Sequence, residues 1–135
     1  MTPAEEPRFL SIEELLGLHQ RQIERYGGRT GLRDLGLLQS AAALPGASFD
    51  GEWLHRTLEE MAAAYLFHLC QNHPFTDGNK RLAAVAMTVF LILNGLRPTF
   101  TEDELVELTM AVASGKWTKA EAAMGIASHV RAFTE

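Results

Sequence analysis

The chain predicts an all-α fold, a single domain over residues 1–135 with about six helices around a central hydrophobic one. Apolar residues recur three and four apart through most of the sequence. No segment alternates apolar and polar residues as a half-buried strand does. The Ser/Thr-x-x-Glu signature of a helix start occurs at Ser11–Glu14, Thr101–Glu104 and Thr118–Glu121, where hydroxyl and carboxylate satisfy each other's orphan backbone donors. Glycine and proline fall between the periodic segments, so punctuation and periodicity agree.

The first helix opens at Ser11 and carries Leu15, Leu18, His19 and Ile23 at helical spacing to Arg25. Gly27-Gly28-Arg29-Thr30-Gly31 reads as a loop whose glycines allow backbone angles other residues avoid. Asp34 is placed to cap a short helix through Ala43, ended by Pro45-Gly46, and Ala47–Trp53 reads as irregular. A longer helix spans His55 to Asn72 through Leu58, Met61-Ala62, Tyr65-Leu66 and Leu69. After a polar interruption the next helix runs from Gly78 to Leu93, stopped by Asn94-Gly95 with Pro98 beyond. Its run Leu82–Leu93 is apolar on every side, which implies burial all round at the centre of the domain. Two further helices follow Thr101 and Thr118.

At 135 residues the domain is large enough to bury a core without disulfides or structural metal. A net charge of −5 with no dense Lys/Arg block gives no reason to expect nucleic-acid binding. The single cysteine, Cys70, sits in an apolar-periodic segment and reads as a buried hydrophobe. Met1–Arg8 does not resemble a signal peptide, and the longest apolar run is too short for a bilayer, so the expectation is a cytoplasmic protein without membrane association.

The chemistry is concentrated in His73-Pro74-Phe75-Thr76-Asp77-Gly78-Asn79-Lys80-Arg81, immediately before the apolar helix. The first N–H groups of a helix have no internal partners, and the helix dipole adds positive character there, so Gly78-Asn79-Lys80 marks an anion site suited to phosphate. Gly78 lacks a Cβ that would hold a phosphate off, and Arg81, one turn in, offers a bidentate contact. Asp77 is a candidate Mg²⁺ ligand, because Mg²⁺ usually takes one or two carboxylates plus substrate phosphates. His73, with an ordinary imidazole pKa of about 6.5, is the candidate base for a hydroxyl proton. The run is not a P-loop, since the upstream glycine and the following Ser/Thr are absent.

These residues resemble the signature of the Fic/Doc family, His-Pro-Phe-x-Asp/Glu-Gly-Asn-Gly/Lys-Arg, with every fixed position met between His73 and Arg81. Ile12–Leu15, Arg25–Gly28, Gly31–Asp34, Asn94-Gly95 and Val112–Gly115 resemble the death-on-curing (Doc) branch in order and spacing. The resemblance implies a helical Fic fold and transfer of a phosphate-containing group from ATP to a protein hydroxyl. His73 would be the base, Asp77 the Mg²⁺ ligand and Phe75 the loop's anchor in the core. Gly78, Asn79, Lys80 and Arg81 would receive the phosphates.

Lys80 stands where AMP-transferring members usually have glycine. In the Doc branch a lysine there accompanies an inverted nucleotide that presents its γ-phosphate, and the branch is associated with toxins that phosphorylate elongation factor Tu. Pro74 and Gly78, in contrast, match the AMP-transferring members. The readings are therefore a Ser/Thr protein kinase first, an AMP-transferase second, and a silent binding module third, against which the intact motif argues. No Glu-Gly or Glu-Asn pair of the family's inhibitory helix occurs in the chain, so restraint is expected in trans from a small antitoxin.

Bland readings stand beside these. Asp77 precedes a helix and could simply be its N-cap. Lys80 and Arg81 are two cations at the helix end where the dipole disfavours them, which makes better sense with an anion bound. His19, His55, His68 and His129 lack metal-ligand spacing and read as core or surface histidines. Arg29 and Arg33 could meet a protein target or antitoxin, although a solvated charge is the commoner explanation.

Overall fold

The computed structural model describes residues 6–133, so residues 1–5 and 134–135 of the expected 1–135 domain lie outside the described part. The six expected helices are present: α1 (Ile12–Tyr26), α2 (Leu35–Ala43), α3 (Leu58–Asn72), α4 (Asn79–Leu93), α5 (Glu102–Ala113) and α6 (Lys119–Ala127). Capping boxes start α1, α5 and α6 at Ser11, Thr101 and Thr118, and Asp34 caps α2 by accepting from the Leu37 N–H. None of the described helices is long and apolar enough to cross a membrane.

α3 packs against α2, α4, α5 and α6. Six consecutive residues, Met61–Leu66, are fully buried, so this helix is enclosed on all sides. That environment was expected for α4, and the burial of α4 corrects the expectation. Leu82, Ala83, Ala86, Met87, Phe90 and Leu91 face the core, while Ala84, Val85, Thr88 and Val89 are half-buried and Ile92 and Leu93 are exposed. On this second face Ala84 and Val85 line a groove.

The helix expected from His55 begins at Leu58, because the Thr57 side chain caps it by accepting from the Glu60 N–H. Ala47–Trp53 is not wholly irregular. Strands β1 (Ser48–Phe49) and β2 (Glu52–Trp53) pair as a hairpin around Asp50-Gly51, both with positive φ. An Asp-Gly pair is the sequence signal for such a turn. A second small ladder pairs β3 (Leu96–Pro98) with β4 (Val130–Ala132) and ties the end of α4 to the segment after α6.

The segment before α1 is fixed by one buried contact, in which the Tyr65 hydroxyl accepts the Leu10 N–H at 2.8 Å. Tyr65 is completely buried and its ring packs on Phe90. Tyr65→Phe leaves that backbone donor unpaired at constant shape. It should lower unfolding stability by about 1–3 kcal/mol in urea titration. An unchanged midpoint would mean that solvent reaches the donor.

Candidate active site

The residues 73–78 between α3 and α4 carry the motif, and α3 ends abruptly to make room for it. His73 is its C-cap in the left-handed conformation (φ 54°, ψ 54°), and Pro74 prevents continuation. Phe75 turns inward to 2 % exposure and anchors the loop in the core, as the resemblance implied. Burying it brings its own N–H and C=O along, and Asn79 satisfies both. Asn79 Oδ1 accepts from the Phe75 N–H and Nδ2 donates to the Phe75 carbonyl, each at 2.9 Å. Asn79 is therefore buried, and its side chain shapes the loop from inside. Only its backbone N–H is left for a phosphate, which narrows the role expected for it.

The preceding segment supports the loop from one side. Leu32 and Phe75 form a single antiparallel bridge, and Thr76 N–H donates to the Gly31 carbonyl at 3.0 Å. From below, the buried His19 donates through Nε2 to the Asp77 carbonyl at 2.7 Å and stacks on Phe75 with ring centroids 3.7 Å apart. His19 is thus a core histidine, as read from the sequence, yet it also holds the loop. Its place on the buried stripe Leu15-His19-Ile23 was the available clue.

Asp77 does not cap α4. Gly78 occupies that position, with no side-chain cap, at φ +79°. The Asp77 carboxylate accepts the Gly78 N–H at 2.9 Å and the Arg29 N–H at 3.1 Å. The Arg29 backbone donor, then that of Gly78, holds its pKa below the ordinary aspartate value, with the Arg81 and Arg29 charges adding to the effect. Gly28 is required where the chain passes this carboxylate: at φ +120° a Cβ would come within 2.8 Å of Asp77 Oδ2. A Cβ on Gly78 would meet Ile23 Cδ1 at 3.2 Å and His19 Nε2 at 3.5 Å, so this glycine makes room for α1.

The first internal bond of α4 runs from the Leu82 N–H to the Gly78 carbonyl, so the N–H groups of Asn79, Lys80 and Arg81 precede it. These three residues line a groove of about 600 Å³, which His73 and Lys80 line from exposed positions. Its polar end is formed by His73, Asp77, Lys80 and Arg81, and its apolar wall by Tyr26, Val85, Leu105, Val106 and Met110. Arg81 lies 5.9 Å from the Tyr26 ring and has one long contact, 3.4 Å, to the Gln22 carbonyl, which leaves most of its donors unused.

The structure thus brings His73, Asp77, Gly78, Asn79, Lys80 and Arg81 together around one groove. His68 and His129 make contacts to α6 instead, with Lys119 and the Gly125 carbonyl. Cys70 is buried, and burial pushes its thiol pKa up to about 11. Arg33, read as a solvated or partner-facing charge, instead donates to the Asn72 and His73 carbonyls.

One contact fixes the tautomer of His73. Asn79 Nδ2 lies 3.2 Å from His73 Nδ1, and an amide nitrogen has only hydrogens to offer. The bonds to Phe75 fix which way the amide points, since exchanging its oxygen and nitrogen would break both. Nδ1 is therefore the acceptor, and a neutral imidazole in this arrangement carries its proton on Nε2.

Comparison with known proteins gives the family. The Fic/DOC family profile matches residues 9–91. The chain is 37% identical over 109 residues to protein kinase doc of Escherichia phage P1, covering 81% of this chain and 85% of that protein. It is 41% identical over 91 residues to toxin Doc of Mycolicibacterium smegmatis, covering 66% and 70% respectively.

Asn79→Ala strands the buried N–H and C=O of Phe75. It should cost about 1–3 kcal/mol of stability and accelerate hydrogen exchange at the Phe75 amide; a protected amide would show that the loop holds without Asn79. The Asp77 carboxylate, with its pKa lowered on folding, supports the fold fully above the ordinary aspartate pKa, and this support is lost as pH falls through the lowered value. A ¹³C titration should place its midpoint below 3.8; a midpoint at or above that value would remove the backbone donors as its cause.

Proposed function

Because the chain belongs to the Fic/DOC family, we propose that it is a Doc-type toxin that transfers the γ-phosphate of ATP to a Ser/Thr hydroxyl of a protein, elongation factor Tu, and so arrests translation. The observation that supports this reading is the start of α4, whose first N–H groups have no partner within the helix and whose first residues line one groove together with His73. The groove is of ligand-pocket size. Its charged end suits a polyphosphate, and its apolar wall suits the flat face of a base.

Asp77 fits a divalent cation. Its carboxylate is half-exposed, is held ionised by two N–H donors, and has oxygen lone pairs to spare. A single carboxylate suits Mg²⁺, which binds through one or two carboxylates together with phosphate oxygens and water. When bound, Mg²⁺ neutralises charge on the phosphates.

The chain's own groups do the rest. The α4 amides and the Arg81 guanidinium hold phosphate oxygens, positioning the transferred group and stabilising its charge. The acceptor hydroxyl gives its proton to His73 as the new P–O bond forms and the bond to the ADP oxygen breaks. Either Nδ1 takes that proton, displacing the Asn79 N–H, or the ring shifts its own proton to Nδ1 before Nε2 accepts. The names of the two relatives, a protein kinase and a toxin, support the assignment. The absence of a Glu-Gly or Glu-Asn pair from the sequence supports restraint by a separate antitoxin. The proposed target places the activity in the cytoplasm.

A second reading, AMP transfer, is favoured by Pro74 and Gly78, which match the AMP-transferring signature. ATP labelled at the α- or γ-phosphate, incubated with the chain and a cell lysate, separates the two. Protein-bound label from γ alone is expected; label from α alone would establish AMP transfer. His73→Ala should lower the rate about 10²–10⁴-fold, the range for loss of a general base, and full activity would take His73 out of the reaction. Lys80→Gly should move transfer toward the α-phosphate if Lys80 sets the nucleotide's orientation.

A further inference from the structure

The carboxyl end of α3 poses a problem that the loop itself cannot solve. Helices usually close when amides just beyond the end turn back to the last carbonyls. Here none of the next three amides can do so. Pro74 has no N–H, the Phe75 N–H donates to Asn79, and the Thr76 N–H donates to Gly31. The chain must nevertheless turn sharply at His73, a residue with a side chain held at φ 54°.

Arg33 closes this end from outside. Its guanidinium donates through Nε to the His73 carbonyl at 2.8 Å and through Nη2 to the Asn72 carbonyl at 3.0 Å. Its backbone N–H and that of Asp34 both reach the Pro74 carbonyl, at 2.8 and 3.0 Å. Three successive carbonyls, those of Asn72, His73 and Pro74, are thus received by two consecutive residues. Asp34 in turn caps α2, so the bracket is seated on a helix start. The Asn72 side chain returns a bond to the Leu37 carbonyl at 3.0 Å.

We infer that Arg33 is a positioning residue for the imidazole: by holding both carbonyls flanking the turn, it keeps His73 left-handed and its ring at the groove. This rests on the reading of His73 as the proton acceptor. Arg33 touches neither the α4 amides nor Asp77, so it acts on the imidazole and leaves phosphate binding alone. The planar fork suits the task, because two adjacent carbonyls are met at once; a lysine ammonium is a point donor without that fixed geometry.

The test compares Arg33→Ala, Arg33→Lys and the unaltered chain by melting temperature, Mg·ATP affinity, transfer rate and the ¹³C and ¹⁵N signals of His73, assigned by their loss in His73→Gln. The Cα shift reports the backbone angle and the ring signals its tautomer. Arg33 is exposed. Arg33→Ala should therefore lower the melting temperature by no more than about 5 °C, the scale of a lost exposed cap in a domain of this size. ATP affinity should stay within twofold, the His73 signals should move, and kcat should fall by about 10²-fold, the scale for a misplaced catalytic group. Arg33→Lys should recover part of both the signals and the rate.

Unmoved His73 signals in Arg33→Ala, or an unchanged kcat, overturn the inference. Loss of rate together with ATP affinity, with a melting temperature lowered by more than about 10 °C, also overturns it, by showing a merely structural cap. If the unaltered chain transfers no label, the proposed function fails separately, and the His73 signals still decide the role of Arg33.

Discussion

Asn79 binds the backbone of Phe75 at both its N–H and its C=O, and the architecture of the site depends on that pair of bonds. Burying a phenylalanine contributes about 1.5–3 kcal/mol, but only where the peptide groups that travel with it are satisfied. An unpaired buried donor or acceptor costs a comparable about 1–3 kcal/mol. Supplying both partners from one side chain lets the loop dip into the core between two helices and return in a few residues. His73 and Asp77 then lie at the two shoulders of the dip, on either side of an inward-facing Phe75.

The same economy of partners runs around the loop. The Asp77 carbonyl is taken by His19, the Asp77 carboxylate by the Arg29 and Gly78 amides, and the Pro74 carbonyl by Arg33 and Asp34. What remains uncommitted is consistent in chemistry: the first amides of α4, an exposed lysine and most of an arginine. Under the proposed function, donors held by a scaffold saturated in this way would be fixed before charge arrives and would not need to reorganise when it does. The anionic carboxylate beside them keeps the polar end from being purely cationic.

The second face of α4 belongs to this arrangement too. Its half-buried Ala84 and Val85 form one side of the groove, and Leu105, Val106 and Met110 of α5 form the other. The apolar composition of α4 therefore serves two environments, a core on one face and a groove beside Ala84 and Val85 on another. Composition cannot separate these, because both environments exclude charge, which is why the run suggested enclosure that α3 in fact has.

Much of this was legible in one dimension. Capping boxes, periodicity and glycine or proline stops are local, and each works within one or two helical turns, so α1, α5 and α6 start where Ser11, Thr101 and Thr118 indicated. The motif His73–Arg81 was likewise readable because its residues are contiguous and their order carries the chemistry. The Asp50-Gly51 turn is local as well, since an adjacent Asp-Gly pair is enough to signal it. Tertiary structure alone decided the partners: His19 beneath Asp77, the Arg29 amide on its carboxylate, and Arg33 across the end of α3 lie roughly 40 to 60 residues from what they hold. The physical reason is that a side chain's own identity announces that it can donate or accept, whereas which distant carbonyl it meets depends on how the helices pack.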